Sequence, residues 1–415
     1  MSWRQAGREL RHLRFQTALA LCAIAVAVAL PVVLLSVGGG VVAHELDALQ
    51  HSGFQIVVGA SGLHGISSTH TLSSRIGALA NVRASSPLLS LPLTVFLPGG
   101  GEAPVLAEGV IPGPFLATAS PQESGLFPQP LPLGDPTDSV HFANGTYRGP
   151  ATNSILLSSP LATARGIGTG DRIGLSASGN RSQTTEFNVT GTFGLPPSLL
   201  GPTGAFVAIL PLSDLQLRSG TALSGSGALI DGSDSIEVAL SGSAASDSGA
   251  VASVASAIQG LVPYYDVATQ DQQVAALLDA ESVLTGFYLA LSSFSLAIGF
   301  VFLGVLLVRR VEALRAPIAL RRAVGVPARS LAGEFARTAV ALGAGGAALG
   351  VVAGIVVVRV LAAYGSPAVS AVAQLAVFDP VQLLGIAAAV VAVAMLLSLA
   401  ATRAALRLSI PEALR

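Results

Sequence analysis

The chain has 415 residues, of which 51% are hydrophobic, 11% charged and 5% aromatic, with a mean hydropathy of +0.68. Soluble domains average about 25% charged residues, so these charges cannot keep the whole surface in water, and a purely soluble enzyme is excluded. All 22 basic residues are arginine and Cys22 is the one cysteine, which rules out the phosphate-binding lysine of a P-loop ATPase, an internal disulfide and a cysteine-ligated metal site.

Residues 1–14 begin the chain with an expected amphipathic helix. Arg4, Arg8 and Arg11 form one stripe and Trp3 and Leu10 another, a pattern suited to lying in a membrane interface. A charge-free apolar run, 15–43, follows. It is much longer than the ~7–15 apolar residues of a secretory signal and reads as an uncleaved membrane anchor.

Residues 44–281 form a segment long enough to bury its own core without disulfide staples. Between Pro87 and Pro150 lie 12 of the chain's 24 prolines, so 87–150 is expected to hold short strands and loops, or a small subdomain, with no long helix or central strand. A sharper pattern follows. Ser154 to Leu157 reads as a buried strand, Pro160 to Arg165 as a helical turn, Gly166 to Asp171 as a turn, and Arg172 to Leu175 and Phe187 to Phe193 as strands. From Ser219 to Ala257 Ser, Gly and Ala dominate, around one alternating strand, Ser235 to Leu240. These elements make an α/β or α+β domain. His44, His51, His64 and His70 lack the i, i+3 or i, i+4 spacing of helical metal ligands, and read as solvated or interfacial. No G-x-S-x-G elbow or H-E-x-x-H occurs, so no catalytic or metal site is assigned and no cofactor is expected. Three N-x-[ST] matches, at Asn144, Asn180 and Asn188, are the number that chance supplies in a Ser/Thr-rich segment.

Three more apolar runs, 282–308, 338–358 and 380–402, make four spans in a 1+3 arrangement. The cytoplasmic side of such a chain keeps its arginines. Residues 1–14, the loop 309–337 and the tail 403–415 together carry 14 arginines against four acids, whereas 44–281 carries seven against 18. Both termini and the 309–337 loop are therefore expected in the cytoplasm, with 44–281 and the loop 359–379 outside. The spans contain no ionisable residue, which disfavours a proton relay or ion-coupled transporter.

Within the loop, Pro317 suits the start of a helix and Gly325 the position after its end, which predicts a short helix over 317–324. Ile318 and Arg321 lie near one face, Leu320 and Val324 near another. A rigid knob docking on a cytoplasmic partner and a basic loop resting on anionic headgroups are its two readings. In the third span Gly346, Gly350 and Gly354 recur every four residues, a ridge that lets another span, or a second copy, approach closely.

The order of one span, a large outer domain and three spans resembles the FtsX-like permease family of ABC transporters, which includes MacB-type permeases. Arg315-Ala316-Pro317-Ile318-Ala319-Leu320-Arg321-Arg322-Ala323-Val324-Gly325 is similar to the family's R-x-x-E-I-A-L-L-R-A-L-G loop, with Pro317 at the usual Glu. Glu334 matches the acid before the third span, and Ile410-Pro411-Glu412-Ala413-Leu414-Arg415 resembles the P-x-E-A-L-R ending. Outside, Ile155 to Phe193, with Leu161-Ala162, Gly170-Asp171 and Phe187-Asn188-Val189-Thr190-Gly191, resembles the MacB-type periplasmic core. The resemblance implies a non-catalytic permease subunit in the bacterial cell membrane, paired as a homodimer or heterodimer with a similar permease. It implies a separate cytoplasmic ATPase, and a coupling role for Arg315, Pro317, Ile318, Leu320, Arg321, Arg322, Val324 and Gly325. Membrane lipids are the other partner expected, and nucleic acid is not. Export or extrusion of a substrate is the implied function. A transmembrane regulator of an outer enzyme, such as a cell-wall hydrolase, is the alternative within the family, and a membrane-anchored outer enzyme or receptor needing no ATPase the alternative outside it.

Overall fold

The structure, a computed structural model, describes residues 14–60, 65–97, 100–133, 142–143, 146–147, 152–177, 184–194, 206–217, 231–365 and 367–406. The expected interfacial helix before Arg14, the sequons at Asn144 and Asn180, and the ending 410–415 lie outside these residues. In chain order the elements are α1 (Arg14–Gln50), β1 (Ile56–Gly59), β2 (Ile66–Ser67), α2 (Thr69–Gly77), β3 (Val82–Phe96), β4 (Glu102–Val110), α3 (Pro112–Thr118), α4 (Pro121–Ser124), β5 (Phe142–Ala143) and β6 (Thr146–Tyr147). There follow β7 (Ser154–Ser158), α5 (Ser159–Arg165), β8 (Arg172–Ser176), β9 (Thr185–Phe193), β10 (Phe206–Pro211), α6 (Leu212–Gln216), β11 (Gly232–Ser233), β12 (Ser235–Leu240), α7 (Ser248–Leu261) and β13 (Asp266–Thr269). The last five are α8 (Gln270–Ala313), α9 (Arg315–Ala323), α10 (Ala328–Tyr364), α11 (Pro367–Gln374) and α12 (Pro380–Leu406). The chain divides into two compact units, Met1–Val42 with Ala280–Arg415, and Ala43–Asp279.

The second unit is built on one nine-stranded sheet in the order β13-β1-β12-β3-β4-β10-β7-β9-β8. Thr94 to Phe96 of β3 pair a second time, with Ser176 to Gly174 of β8, so six of the strands close into a barrel and three fan out as an open sheet. Alternation then sorts the side chains. Leu93 and Val95, Val105 and Ala107, Ile155 and Leu157, Ile173 and Leu175, Phe187 and Val189, and Ala208 and Leu210 belong to one buried cluster. The opposite parity, with Val110, Leu156, Val207 and Ile209, packs under Phe115, Phe127 and Leu133. Phe193, six residues on, would share the face of Phe187 by even spacing, but the β7–β9 register slips between Ile155 and Leu156, which face Val189 and Gly191. That extra residue turns Phe193 to the other cluster, where it stacks on Phe127 at 5.3 Å. The open sheet buries Ile56, Val58, Ile236 and Val238 against Ile76 of α2 and Val254 and Ile258 of α7.

β3 corrects the reading of the proline-rich stretch, because it runs for 15 residues, holds Pro87 and Pro92, and lies in the middle of the sheet. Hydrogen-bond direction explains why it tolerates them. The Leu88 carbonyl accepts from Asp234 N–H and the Ser90 N–H donates to Asp234 Oδ2, so even-numbered residues of β3 point their peptide groups toward β12. Pro92 therefore faces a gap, since β12 pairing ends at Leu88 and β8 pairing begins at Thr94. Pro87 faces the β4 side, where the ladder begins only at Leu88. Neither proline removes a ladder donor that has a partner. The strands β7, β8, β9 and β12 and the turn helix α5 lie where the sequence places them, to within two residues. His70 corrects a second reading. It is buried, its ring Nδ1 is 2.6 Å from Asp231 Oδ1, and its N–H donates to Asp231 Oδ2 at 3.0 Å.

The first unit holds helices whose apolar runs, Thr17–Gln50, Gln270–Ala313, Ser330–Tyr364 and Pro380–Ala400, are each long and apolar enough to cross a membrane. All four helices outrun the predicted spans, because good helix formers such as Gln, Ala, Leu and Glu continue each helix beyond its apolar run. The 44 residues of α8 correspond to roughly 66 Å at 1.5 Å per residue, about twice the hydrocarbon thickness. The 359–379 loop contains α11. Ala20, Ile24, Val28 and Val32 of α1 form one ridge and are buried with Leu303 and Leu307 of α8, Ala347 of α10 and Val390 and Ala394 of α12.

Candidate functional site

α9 is held in place by its ends. Val311 accepts from Leu314 N–H at its start. At its end Gly325 N–H donates to the Arg322 carbonyl and Val326 N–H to that of Arg321, the Schellman pairing that closes a helix on a left-handed residue. Gly325 supplies that residue, with φ +93°, and Pro327 at once becomes the cap of α10. The helix starts two residues before the predicted Pro317. The proline sits at its third position, where a missing N–H still removes no intrahelical bond.

Its side chains sort by face. Ala319 is buried, as are Val311 of α8 and Leu331 of α10. Pro317, Leu320 and Val324, spaced i, i+3, i+7, share the opposite stripe, and Leu320 and Val324 are 65% and 81% exposed. Arg321 Nη1 lies 3.2 Å from Glu334 Oε2, which ties α9 back to α10. Arg321 and Arg322 occupy the last turn, where positive charge meets the negative end of the helix dipole. Arg315 opens the helix and Ile318 closes its first turn. The result is a braced knob with an apolar crest and a cationic rim. Ala319 of α9 and Leu331 of α10 were missed by the sequence reading; both are buried apolar residues, and Ala319 is found by its place on the side of α9 away from Leu320 and Val324.

The glycine ridge lies elsewhere on α10 and faces α1. A methyl at Gly346 would come 2.7 Å from Ile24 Cβ, at Gly350 2.6 Å from Val28 Cβ, and at Gly354 2.7 Å from Val32 Cγ1. The partner of this face is therefore the first helix of the same chain. Matching numbers rise together, so α1 and α10 run parallel. α8 runs antiparallel to α1, since Ala27 meets Gly299 and Gly38 meets Tyr288. The Val377 N–H donates to the Ser36 carbonyl, and Gly40 abuts Leu375. The α10–α12 connection therefore lies beside the C-terminal half of α1.

No group of three or more His, Cys, Asp or Glu side chains able to hold a metal occurs among the described residues. The MacB-like periplasmic core domain profile matches residues 17–261, and that of the FtsX-like permease C-terminal region matches 289–410. No curated protein matches the chain. Among solved structures, the periplasmic region of MacB from Actinobacillus actinomycetemcomitans is 13% identical, with coverage of 55% of this chain and 93% of that one and a TM-score of 0.35. The extracellular domain of the noncanonic ABC-type transporter YknZ from Gram-positive bacteria is 10% identical, with coverage of 52% and 98% and a TM-score of 0.32.

Proposed function

We propose, from the premise that this chain belongs to the family of ABC transporter permeases with a MacB-like periplasmic core and an FtsX-like C-terminal region, that it is the membrane subunit of an ATP-driven export or extrusion machine. A separate cytoplasmic ATPase docks on α9 and hydrolyses ATP, and two permease chains pair around it. The observation that carries the reading is the apolar crest of α9. Leu320 and Val324 stand in solvent on a short helix whose other side is buried and tied to α10 by Arg321 and Glu334. An isolated exposed Leu and Val at helical spacing, rimmed by arginine, fits a groove in a protein partner. Burying both would contribute on the order of 3 kcal/mol.

The four helices cross the membrane with both termini and α9 in the cytoplasm and residues 44–281 outside. The parallel run of α1 with α10, and the antiparallel run of α8, support the alternating sense that four crossings require. The arginines of 309–337 support the cytoplasmic side for α9. Motion of α9 reaches the outer domain through α8, one unbroken helix from Gln270 to Ala313. Spans without an acid or base at mid-membrane support displacement of a substrate at the outer face rather than passage through a polar pore. Vesicles reconstituted with this chain and its ATPase test the proposal. ATP-dependent movement of lipid-like, peptide or drug-like cargo is expected. Its absence, with ATP-dependent activation of an outer hydrolase instead, would replace export by regulation.

A further inference from the structure

Between the sheet and its α3–α4 cover lies a cavity of about 200 Å³, lined by Glu108 of β4, Glu123 of α4 and Glu237 of β12 beside Phe54, Phe115 and Phe127. No arginine or histidine lines it. Glu108 is buried and accepts from Ser90 Oγ at 2.7 Å. Glu123 is buried in a capping box with Ser120, which donates to its Oε2 from both N–H and Oγ. Glu237 retains some accessible surface. Ser86, which faces Glu237 in the β3–β12 register, keeps a buried hydroxyl without a hydrogen-bond partner. Asp234, bound to the Ser90 N–H, adds a fourth acidic side chain near Glu108. The lining residues of β3 and α3, Leu88, Ser90, Phe115 and Thr118, and Phe54 from the segment before β1, bring no titratable group.

From this arrangement we infer that the pocket is a proton-operated latch: with Glu108 and Glu237 protonated, α3 and α4 stay seated on the sheet, and loss of those protons sets three carboxylates against one another and lifts the cover. The two strands that carry these residues flank β3, the strand shared by the barrel and the open sheet, so the latch sits where the two halves of the outer domain join. Burial is the main influence on both carboxyls. It pushes Glu108 up to about 7, against the Ser90 hydrogen bond and with help from Asp234, and Glu237 up to about 8, with help from Glu108 and Glu123. Protonation near neutral pH is thus the state in which a cavity without cations is stable. The inference goes beyond the export reading and stands whether or not cargo moves.

Hydrogen exchange of the full-length protein in detergent, corrected for intrinsic base catalysis, tests the latch on peptides spanning 112–127. Protection is expected to fall at least about tenfold from pH 6 to pH 9, since opening linked to one proton rises up to about tenfold per pH unit. In Glu108→Gln/Glu237→Gln it should stay high throughout. Equal protection of the wild type at both pH values overturns the latch, as does a variant that keeps the full pH response. Infrared spectra of the wild type give a reading independent of any variant's folding: a carboxylic-acid C=O band present at pH 6 and lost by pH 9 is expected, and a spectrum without that titrating band overturns the latch.

Discussion

Gly350→Ala adds one methyl where α10 touches α1, and the geometry decides the sign of its effect. The new Cβ would stand 2.6 Å from Val28 Cβ and 2.8 Å from the Ala25 carbonyl oxygen, where ordinary contact begins at 3.4 Å. A carbonyl in a helix cannot rotate away, so the helices must part by several tenths of an ångström. Overpacking of this kind costs about 1–3 kcal/mol. Against it, alanine gains about 1 kcal/mol over glycine in a helix interior. The expected net is a loss of up to about 2 kcal/mol, or several degrees in Tm at about 2–4 °C per kcal/mol. Gly333→Ala, on the same helix with nothing within 4 Å of the added methyl, isolates the propensity gain and should raise Tm. Gly346→Ala/Gly350→Ala/Gly354→Ala should cost less than three times the single change, because one displacement of α10 relieves all three clashes. Thermal unfolding in detergent, followed by loss of the monodisperse gel-filtration peak, reads these differences. If Gly350→Ala stabilises as much as Gly333→Ala, the packing of α10 on α1 is refuted.

Three further outcomes are expected. Glu108 and Glu237 hold their protons more tightly in the folded state than at the ordinary value of 4.5, so the stability these two groups contribute is full in acid and is lost as pH rises from about 4.5 through about 8; Glu237→Gln should remove much of their share of the slope in Tm measured from pH 5 to 9. Asp231→Asn leaves the buried His70 ring without its carboxylate and should cost about 1–3 kcal/mol, read as a lower Tm with unchanged secondary structure by circular dichroism. Gly325→Val forces a β-branched residue to φ +93°, costs at least about 1–2 kcal/mol locally, and should expose the 321–326 amides to faster hydrogen exchange while the barrel amides stay protected.

The helices of the first unit were legible because twenty apolar residues in a row have few other uses, and Gly325 because a helix that stops before proline needs a left-handed residue. The run β7 to β9 was legible from local alternation. β3 was not, since Pro87 and Pro92 are compatible with a central strand only because its partners change from β12 to β8 along its length. The bulge that reverses Phe193 is equally non-local. Alternation in β12 correctly separated Glu237 from Ile236 and Val238, but not that α3 and α4 close over the polar face. His70 was read as solvated or interfacial for the same reason, its partner Asp231 being 161 residues away. At α9 the sequence reading found the helix and its Leu320–Val324 face, whereas the burial of Ala319 and the Arg321–Glu334 brace depend on how the turn at Gly325 returns the chain.

The central claim is that the crest of α9 receives the ATPase. Purification of the full-length chain from its native membranes in mild detergent, with ATP hydrolysis measured in the eluate, tests it most directly. The wild type should retain ATPase activity well above background, and Leu320→Glu/Val324→Glu, exposed positions whose change leaves the helix core intact, should lose it while eluting at the same yield and Tm. Equal ATPase activity with both preparations would contradict the account.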